Sequence, residues 1–293
     1  MTTTRFVTTE INSQPEVWRL AADVADASTD VLPTPGARVA VVGCGTSWFI
    51  AQAYATLREQ SGNGETDAFA GSEFPYGRSY DAIVAITRSG TTSEIIDLLG
   101  KVGETPTICI TAVTDSPAAD AADAVIDLAF ADEQSVVQTR FATSVLALLR
   151  RSLGQDLTAA IADAETALTI PVDGLIDVDQ VTFLGLGWTI GLANEAALKS
   201  REASQLWTEA YPAMDYRHGP ISIAQPGRLV WSFGPAPEGL EENILATGAR
   251  FVYHDIDPLA GLIVAQRFAV AMAESKGLNP DQPRSLTRSV ILN

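Results

Sequence analysis

Three ionisable side chains fall on one face of a predicted helix in the C-terminal half of the chain. Glu195, Lys199 and Glu202 are spaced by four and three residues, which places them on the same side of an α-helix. One interpretation is a solvated surface pair that stabilises the helix by about 0.2–0.5 kcal/mol. The flanking residues Ala193, Ala196, Ala197 and Leu198 are apolar, however, so the helix is not broadly solvated. Together with the histidine that follows in a Gly-Pro loop, these neighbours favour a functional face over a solvated one.

A histidine follows this helix in a loop. His218 lies in the sequence RHGP, where a side chain can be presented to a ligand rather than buried. The second histidine, His254, follows an apolar strand and has no accompanying motif. A single histidine is more often structural than catalytic, but the loop position favours His218 as a second acid–base group.

Two loops in the N-terminal half combine glycine with hydroxyl side chains. Residues 39–47 read VAVVGCGTS and residues 87–92 read TRSGTT, and each loop leads from an apolar strand into a helix. Amide groups and hydroxyls at such a junction bind anions. A helix N-cap requires only one hydroxyl, so the excess favours phosphate binding. In the second loop the candidate ligands are Thr87, Ser89, Thr91 and Thr92, with Arg88 among them.

Other site chemistries have little support in the sequence. The G-x-G at Gly43 and Gly45 lacks the third glycine and the acidic residue of a dinucleotide site, so we expect no cofactor. Two histidines and two cysteines without ligand spacing predict no metal site. None of the loop serines lies in a nucleophile elbow.

The composition limits the classes of partner. The 293 residues carry a net charge of −17, which disfavours binding to nucleic acid or to an anionic membrane. The sequence contains no apolar run of transmembrane length and no recognisable leader. Two cysteines are too few for a disulfide framework. We expect a soluble cytoplasmic protein.

Apolar strands alternate with helical segments along the chain and predict a parallel α/β fold. The pattern VTFLGLG at residue 181 repeats VAVVGCG at residue 39, and both runs precede an alanine-containing helix. This repeat predicts a helical arm (1–35) and two similar domains (36–155 and 172–293). In the second copy the hydroxyl loop is replaced by GPAPE at 234–238, which has lost the phosphate ligands.

These motifs together resemble the sugar isomerase (SIS) family, in particular the isomerase half of glutamine–fructose-6-phosphate aminotransferases and related amino-sugar-phosphate deaminases and deglycases. The resemblance rests on GCGTS, SEF, TRSGTT, the E-x-x-x-K-x-x-E helix, EAYPA followed by HGP, and the tail DQPRSLTRSV. It implies two tandem domains, each a five-stranded parallel sheet between helices in three layers, and a homodimer.

The resemblance also implies roles for individual residues. The 6-phosphate of a sugar would bind Ser47, Thr87, Arg88, Ser89 and Thr92, with Gly45 and Thr46 as further substrate-binding residues. Glu202 would move a proton between C1 and C2, and His218 would open the ring. In the aminotransferases that histidine comes from the other subunit. Lys199 and Glu195 match polar residues of the same site.

Two departures from the aminotransferase pattern bear on the reaction. The sequence holds no glutaminase domain, and Arg288 stands where the family has a Schiff-base lysine. A guanidinium stays protonated and forms no imine. We therefore expect deamination or deglycation of an amino-sugar or fructosamine 6-phosphate, with Arg288 binding substrate oxygens. The alternatives are plain sugar-phosphate isomerisation and a non-catalytic phosphosugar-binding regulator.

Overall fold

The structure, a computed structural model, describes residues 5–292 and divides into two compact units. The first unit comprises residues 13–134, 138–157 and the tail from residue 287. The second unit comprises the residues up to 12, 135–137 and 158–286. Residues 1–4 of the predicted arm lie outside the described residues. The rest of the arm forms two helices, of which α1 (Phe6–Asn12) belongs to the second unit and α2 (Gln14–Ala27) to the first.

The first unit is a five-stranded parallel sheet in the order β2-β1-β3-β4-β5, as the alternating pattern predicted. The strands are β1 (Val39–Gly43), β2 (Thr66–Ala70), β3 (Ala82–Ile86), β4 (Thr107–Thr111) and β5 (Ala124–Asp127). Its further helices are α3 (Thr46–Gln60), α4 (Ser93–Leu99), α5 (Pro117–Asp120) and α6 (Arg140–Ser152).

The second unit is a parallel sheet of four strands in the order β7-β6-β8-β9. The strands are β6 (Gln180–Gly185), β7 (Trp207–Pro212), β8 (Arg228–Phe233) and β9 (Arg250–Tyr253). The helices are α7 (Thr158–Ala167), α8 (Thr189–Ser204), α9 (Leu240–Ala246) and α10 (Pro258–Ser275). The prediction of a fifth strand in this sheet was wrong. After α10 the described chain forms a proline-containing tail of turns, and its apolar residues at 290–292 belong to the first unit, so no strand is added to this sheet.

The central strands of the first unit are buried on both faces. Alternate residues of β1, β3 and β4 pack with α4 and α5 in one apolar cluster that includes Val42, Ala85, Cys109 and Leu98. α3 contacts β1 and β2, and α6 packs against both α3 and α2. Burial on both faces explains why β1, β3 and β4 read as continuous apolar runs. None of the helices among residues 5–292 is long and apolar enough to cross a membrane.

The repeated G-x-G has the same local structure in both units. A Cβ on Gly43 would lie 2.7 Å from the Cβ of Ser47, and one on Gly185 would lie 2.4 Å from the carbonyl carbon of Thr189. The second glycine of each pair has a positive φ, 55° at Gly45 and 56° at Gly187. The first glycine therefore lets the helix start against the strand end, and the second makes the turn.

This geometry predicts that Gly185→Ala destabilises the second unit. The added methyl group meets backbone atoms of α8, which cannot move aside without shifting the helix, so we expect a loss of about 1–3 kcal/mol. Urea unfolding measures it. Gly174→Ala is the matched control, because a Cβ there meets no atom within 4 Å. Equal stability of both variants would contradict the close packing.

Candidate functional site

The three ionisable residues predicted on one helix face meet on α8. The Lys199 ammonium lies 3.6 Å from a carboxylate oxygen of Glu195 and forms a short ion pair with Glu202. The side chains of Glu195 and Lys199 are 0% and 1% exposed, whereas that of Glu202 is 18% exposed. The surface-pair interpretation is therefore excluded. Lys199 compensates two carboxylates, and only Glu202 retains access to solvent or a ligand.

The surrounding contacts fix α8 in place. At its start the Thr189 hydroxyl accepts from the Leu186 amide and donates to the Phe233 carbonyl. Along its length α8 packs against β6, β7 and α10. At its end Gln205 adopts a left-handed conformation with φ 54°. Glu202 therefore stands in the last turn of a helix held by the sheet on one side and an apolar helix on the other.

Glu202 opens into a cavity of about 490 Å³ within the second unit. The other lining residues come from the end of α8, the start of β7 and the tail: Arg201, Gln205, Leu206, Trp207, Arg284, Ser285 and Leu286. Partial burial lowers the pKa of Arg201, and the nearby carboxylates of Glu202 and Glu195 oppose this shift. Apart from Glu202, the sequence did not predict these residues as part of a site, because the cavity is formed by two chain segments that lie some eighty residues apart.

The two histidines have different surroundings. His218 ends a short 3₁₀ turn (Asp215–His218) and is exposed before Gly219, whose φ is 138°. His254 packs edge-on against Trp231 with ring centroids 5.5 Å apart, and burial lowers its pKa. Aromatic packing gives His254 a structural role. The exposed position of His218 leaves its imidazole available for acid–base chemistry.

In the first unit, the GCGTS loop joins β1 to α3. Gly45 precedes the helix, and Thr46 and Ser47 begin it with side chains that are 3% exposed. The amide of Ser47 donates to the Cys44 carbonyl. The predicted phosphate ligand Ser47 and the predicted substrate-binding residues Gly45 and Thr46 therefore lie at the start of a 15-residue helix, where the macrodipole favours an anion.

The hydroxyls of the TRSGTT loop differ in their hydrogen bonding. The Thr91 hydroxyl donates to Ser89 Oγ at 2.9 Å and contacts Ser289 Oγ at 2.9 Å. Thr92 is the N-cap residue of α4, but its side chain makes no cap hydrogen bond. Thr87 is 3% exposed, and its hydroxyl has no hydrogen-bond partner among the described residues. A buried hydroxyl without a partner is a strong candidate for ligand binding.

Arg88 of the same loop is buried within the first unit. Its guanidinium lies 3.5 Å from Glu133, and both side chains are at most 1% exposed. Glu133 also accepts from the Thr139 hydroxyl and from the amides of Thr139 and Arg140 at the start of α6. The positive charge of Arg88 is thus balanced by a carboxylate that the sequence did not reveal, since the two residues lie 45 positions apart.

The C-terminal tail passes over the same loop. Arg288 contacts the Asp132 carboxylate and the Glu133 carbonyl through its guanidinium, and its own carbonyl accepts from Arg88 at 3.1 Å. The Ser93 amide donates to the Val290 carbonyl at 3.2 Å. The structure therefore places Arg288 with the TRSGTT loop in the first unit, whereas Glu195, Lys199, Glu202 and His218 lie in the second unit.

The buried hydroxyl of Thr87 allows the effect of a Thr87→Val substitution on stability and on ligand affinity to be predicted. Thr87→Val keeps the shape of the side chain and removes an unpaired polar atom, so stability in urea is expected to stay the same or to increase. If phosphate binds here, affinity for a sugar 6-phosphate falls about tenfold through the lost hydrogen bond. Calorimetry measures it. Thr56→Val, whose hydroxyl bonds only within α3, is the control. Unchanged affinity in Thr87→Val would remove this residue from the site.

The chain is similar to known proteins in sequence and in fold. Its first unit is a parallel α/β domain with glycine–hydroxyl loops at the strand ends, an arrangement that is suited to binding an anion. More specifically, residues 35–150 match the model of the SIS domain family.

Curated relatives extend this similarity over most of the chain. It is 27% identical to a glutamine–fructose-6-phosphate aminotransferase of Sulfolobus acidocaldarius over 97% of its length and 56% of the relative. It is 28% identical to the enzyme of Listeria monocytogenes over 86% of its length and 51% of the relative. The chain thus spans about half the length of these relatives.

Solved structures share the fold at lower identity. Glucosamine-6-phosphate deaminase from Thermotoga maritima superposes with a TM-score of 0.78 at 23% identity, covering 98% of this chain and 100% of that one. Tagatose-6-phosphate ketose/aldose isomerase from Escherichia coli gives a TM-score of 0.79 at 18% identity and covers 96% of each chain. The chain therefore shares its fold with these two proteins.

Proposed function

We propose that the protein is a phosphosugar aldose–ketose isomerase-type enzyme that deaminates an amino-sugar 6-phosphate or deglycates a fructosamine 6-phosphate. The observation that supports this most strongly is the buried Glu195–Lys199–Glu202 cluster, which leaves one carboxylate facing a cavity. A carboxylate with limited exposure and a fixed cationic neighbour is suited to repeated proton transfer.

The reaction follows from moving one proton between neighbouring carbons. On a fructosamine 6-phosphate, Glu202 removes a proton from C1, which bears the nitrogen, and the C2 carbonyl becomes an enol. Glu202 returns the proton to C2, and the resulting C1 imine reacts with water to release the amine and the aldose phosphate. On an amino-sugar 6-phosphate the proton moves from C2 to C1. Neither route requires the Schiff-base lysine that Arg288 replaces.

The phosphate group is assigned to the glycine–hydroxyl loops of the first unit. Ser47 at the start of α3 and the unpaired hydroxyl of Thr87 support this assignment, with Gly45, Thr46, Ser89 and Thr92 around them. Arg88 contributes by holding its loop against Glu133. We assign Arg288 the same positioning role in place of direct binding to substrate oxygens, since its guanidinium is engaged by Asp132 and Glu133.

His218 is proposed to open the sugar ring or to protonate the leaving nitrogen. Its support is an exposed imidazole in a glycine-containing loop. The family resemblance adds a homodimer in which one subunit donates this histidine to the other. Mixing a Glu202→Gln variant with a His218→Asn variant tests the donation, because exchange of subunits would restore activity only if the two residues act in trans.

Amine release by the wild-type protein tests the proposed reaction. Glucosamine 6-phosphate and a fructosamine 6-phosphate are incubated with the protein, and released ammonia or amine is quantified. Interconversion of glucose and fructose 6-phosphates is followed in parallel. Amine release supports the proposal. Interconversion without amine release indicates a plain isomerase, and tight binding without turnover indicates a phosphosugar-binding regulator.

A further inference from the structure

We propose that the cavity beside Glu202 recognises a carboxylate on the amine part of the substrate, with Arg284 as the specificity-determining residue. This inference rests on the proposed function, since it selects a conjugate of a sugar phosphate with an amino acid over a simple amino sugar. The residues that carry it are Arg201, Glu202, Trp207, Arg284 and Ser285, which all line the same cavity.

The charge of the cavity is unusual for this chain. The whole protein has a net charge of −17, yet the lining contains the two cations Arg201 and Arg284 and the single carboxylate Glu202. Lys199 is paired with Glu202 from within the helix. The cavity therefore presents an excess of positive charge beside the proposed base, which favours a negatively charged group on the ligand.

The two arginines differ in their contacts. Arg201 donates to the carbonyl and hydroxyl of Thr208 at 3.2 and 3.1 Å, which ties its guanidinium to β7. Arg284 is exposed and makes no side-chain hydrogen bond or ion pair with any described residue. Its guanidinium is free to form a bidentate pair with a carboxylate. Arg201 supplies a fixed positive charge, and Arg284 supplies the donors.

The backbone of the cavity wall supports a functional role. Two non-glycine residues in the described chain have a positive φ, Gln205 at 54° and Ser285 at 64°, and both line this cavity. Such conformations are unfavourable for residues with a side chain and cluster at binding sites. The strained Ser285 directly follows Arg284 and fixes the direction in which the tail carries this arginine.

The size and surface of the cavity fit an amino-acid group. Its volume of about 490 Å³ lies within the usual range of small-molecule sites. Trp207 and Leu206 provide apolar surface beside the charged groups, and the Trp207 ring is stacked with the guanidinium of Arg228 at 5.2 Å. A ligand that combines a carboxylate with a short carbon chain can pair with the charged groups and pack against the apolar surface of this cavity.

Binding of two matched ligands tests this inference. The fructosamine 6-phosphates of glycine and of methylamine differ only in the carboxylate, and their dissociation constants are measured by calorimetry. Turnover is suppressed with Glu202→Gln as the background. We expect the glycine conjugate to bind about tenfold tighter or more, and Arg284→Ala to abolish that preference. Arg284→Lys is expected to restore part of it, and Arg38→Ala in the first unit is the charge-matched control.

The outcomes separate this inference from the proposed reaction. Equal affinity for the two conjugates, a preference that survives Arg284→Ala, or no binding of either conjugate would overturn the carboxylate site. A preference that depends on Arg284, together with no amine release by the wild-type protein, would keep the site and reject deglycation. Release of amine from both conjugates at the same kcat/KM would keep the reaction and reject the specificity.

Discussion

Replacing Glu202 by glutamine is expected to lower kcat for amine release by about 10²–10⁴-fold, with a much smaller change in KM. Glutamine preserves the size of the side chain and its place at the cavity, but it cannot accept and return a proton. The Glu195–Lys199 pair stays intact, because Lys199 lies 3.6 Å from Glu195. Loss of activity would therefore report the proton transfer itself.

Steady-state kinetics with a continuous assay for the released amine measures this effect. Glu241→Gln removes one carboxylate from the exposed first turn of α9 in the same unit and serves as the control. Circular dichroism and urea unfolding check that both variants fold alike. Equal kcat values for the wild-type protein and Glu202→Gln would exclude Glu202 as the base.

Lys199→Met is expected to destabilise the protein by about 3–5 kcal/mol. Methionine fills a similar volume, but it leaves the fully buried Glu195 without its cationic neighbour and beside a second carboxylate, Glu202. The uncompensated charge of Glu195 then raises the free energy of the folded state, whereas in the unfolded state water solvates this carboxylate. The free energy of unfolding from urea titration measures the loss.

Two further variants give this prediction its control. Lys101→Met removes the lysine of an exposed pair with Asp97, whose side chains are 61% and 70% exposed, and little change is expected. Adding Glu195→Gln to Lys199→Met removes the buried charge and is expected to restore much of the lost stability. Similar losses in Lys199→Met and Lys101→Met would contradict the account of a buried cluster.

The sequence was most informative where local pattern decides structure. Apolar β-branched runs such as Ala82–Ile86, alternating with helical segments, favour central strands of a covered parallel sheet, and the structure confirms that strand at the predicted residues. The spacing of Glu195, Lys199 and Glu202 likewise brought the three charges together, because helical periodicity alone sets that geometry. The roles of these residues in catalysis stay predictions.

The remaining features depend on contacts that are distant in sequence. Arg88 contacts Glu133, 45 residues away in the sequence, and the Arg288 carbonyl, 200 residues away. No local sequence pattern predicts either contact. The predicted fifth strand of the second sheet failed for a related reason. The repeat suggested a full copy of the first unit, but the chain after α10 forms turns, and its apolar residues at 290–292 belong to the first unit.

The central claim is that Glu202 transfers a proton between C1 and C2 of a sugar phosphate, and isotope exchange tests it most directly. The wild-type protein is incubated with the fructosamine 6-phosphate in D₂O, and deuterium in the recovered sugar phosphate is measured by NMR or mass spectrometry. We predict deuterium at the carbon that receives the proton. With Glu202→Gln we expect the rate of deuterium incorporation to be at least about 10²-fold lower than with the wild-type protein. Incorporation at the same rate in both proteins would contradict the assignment.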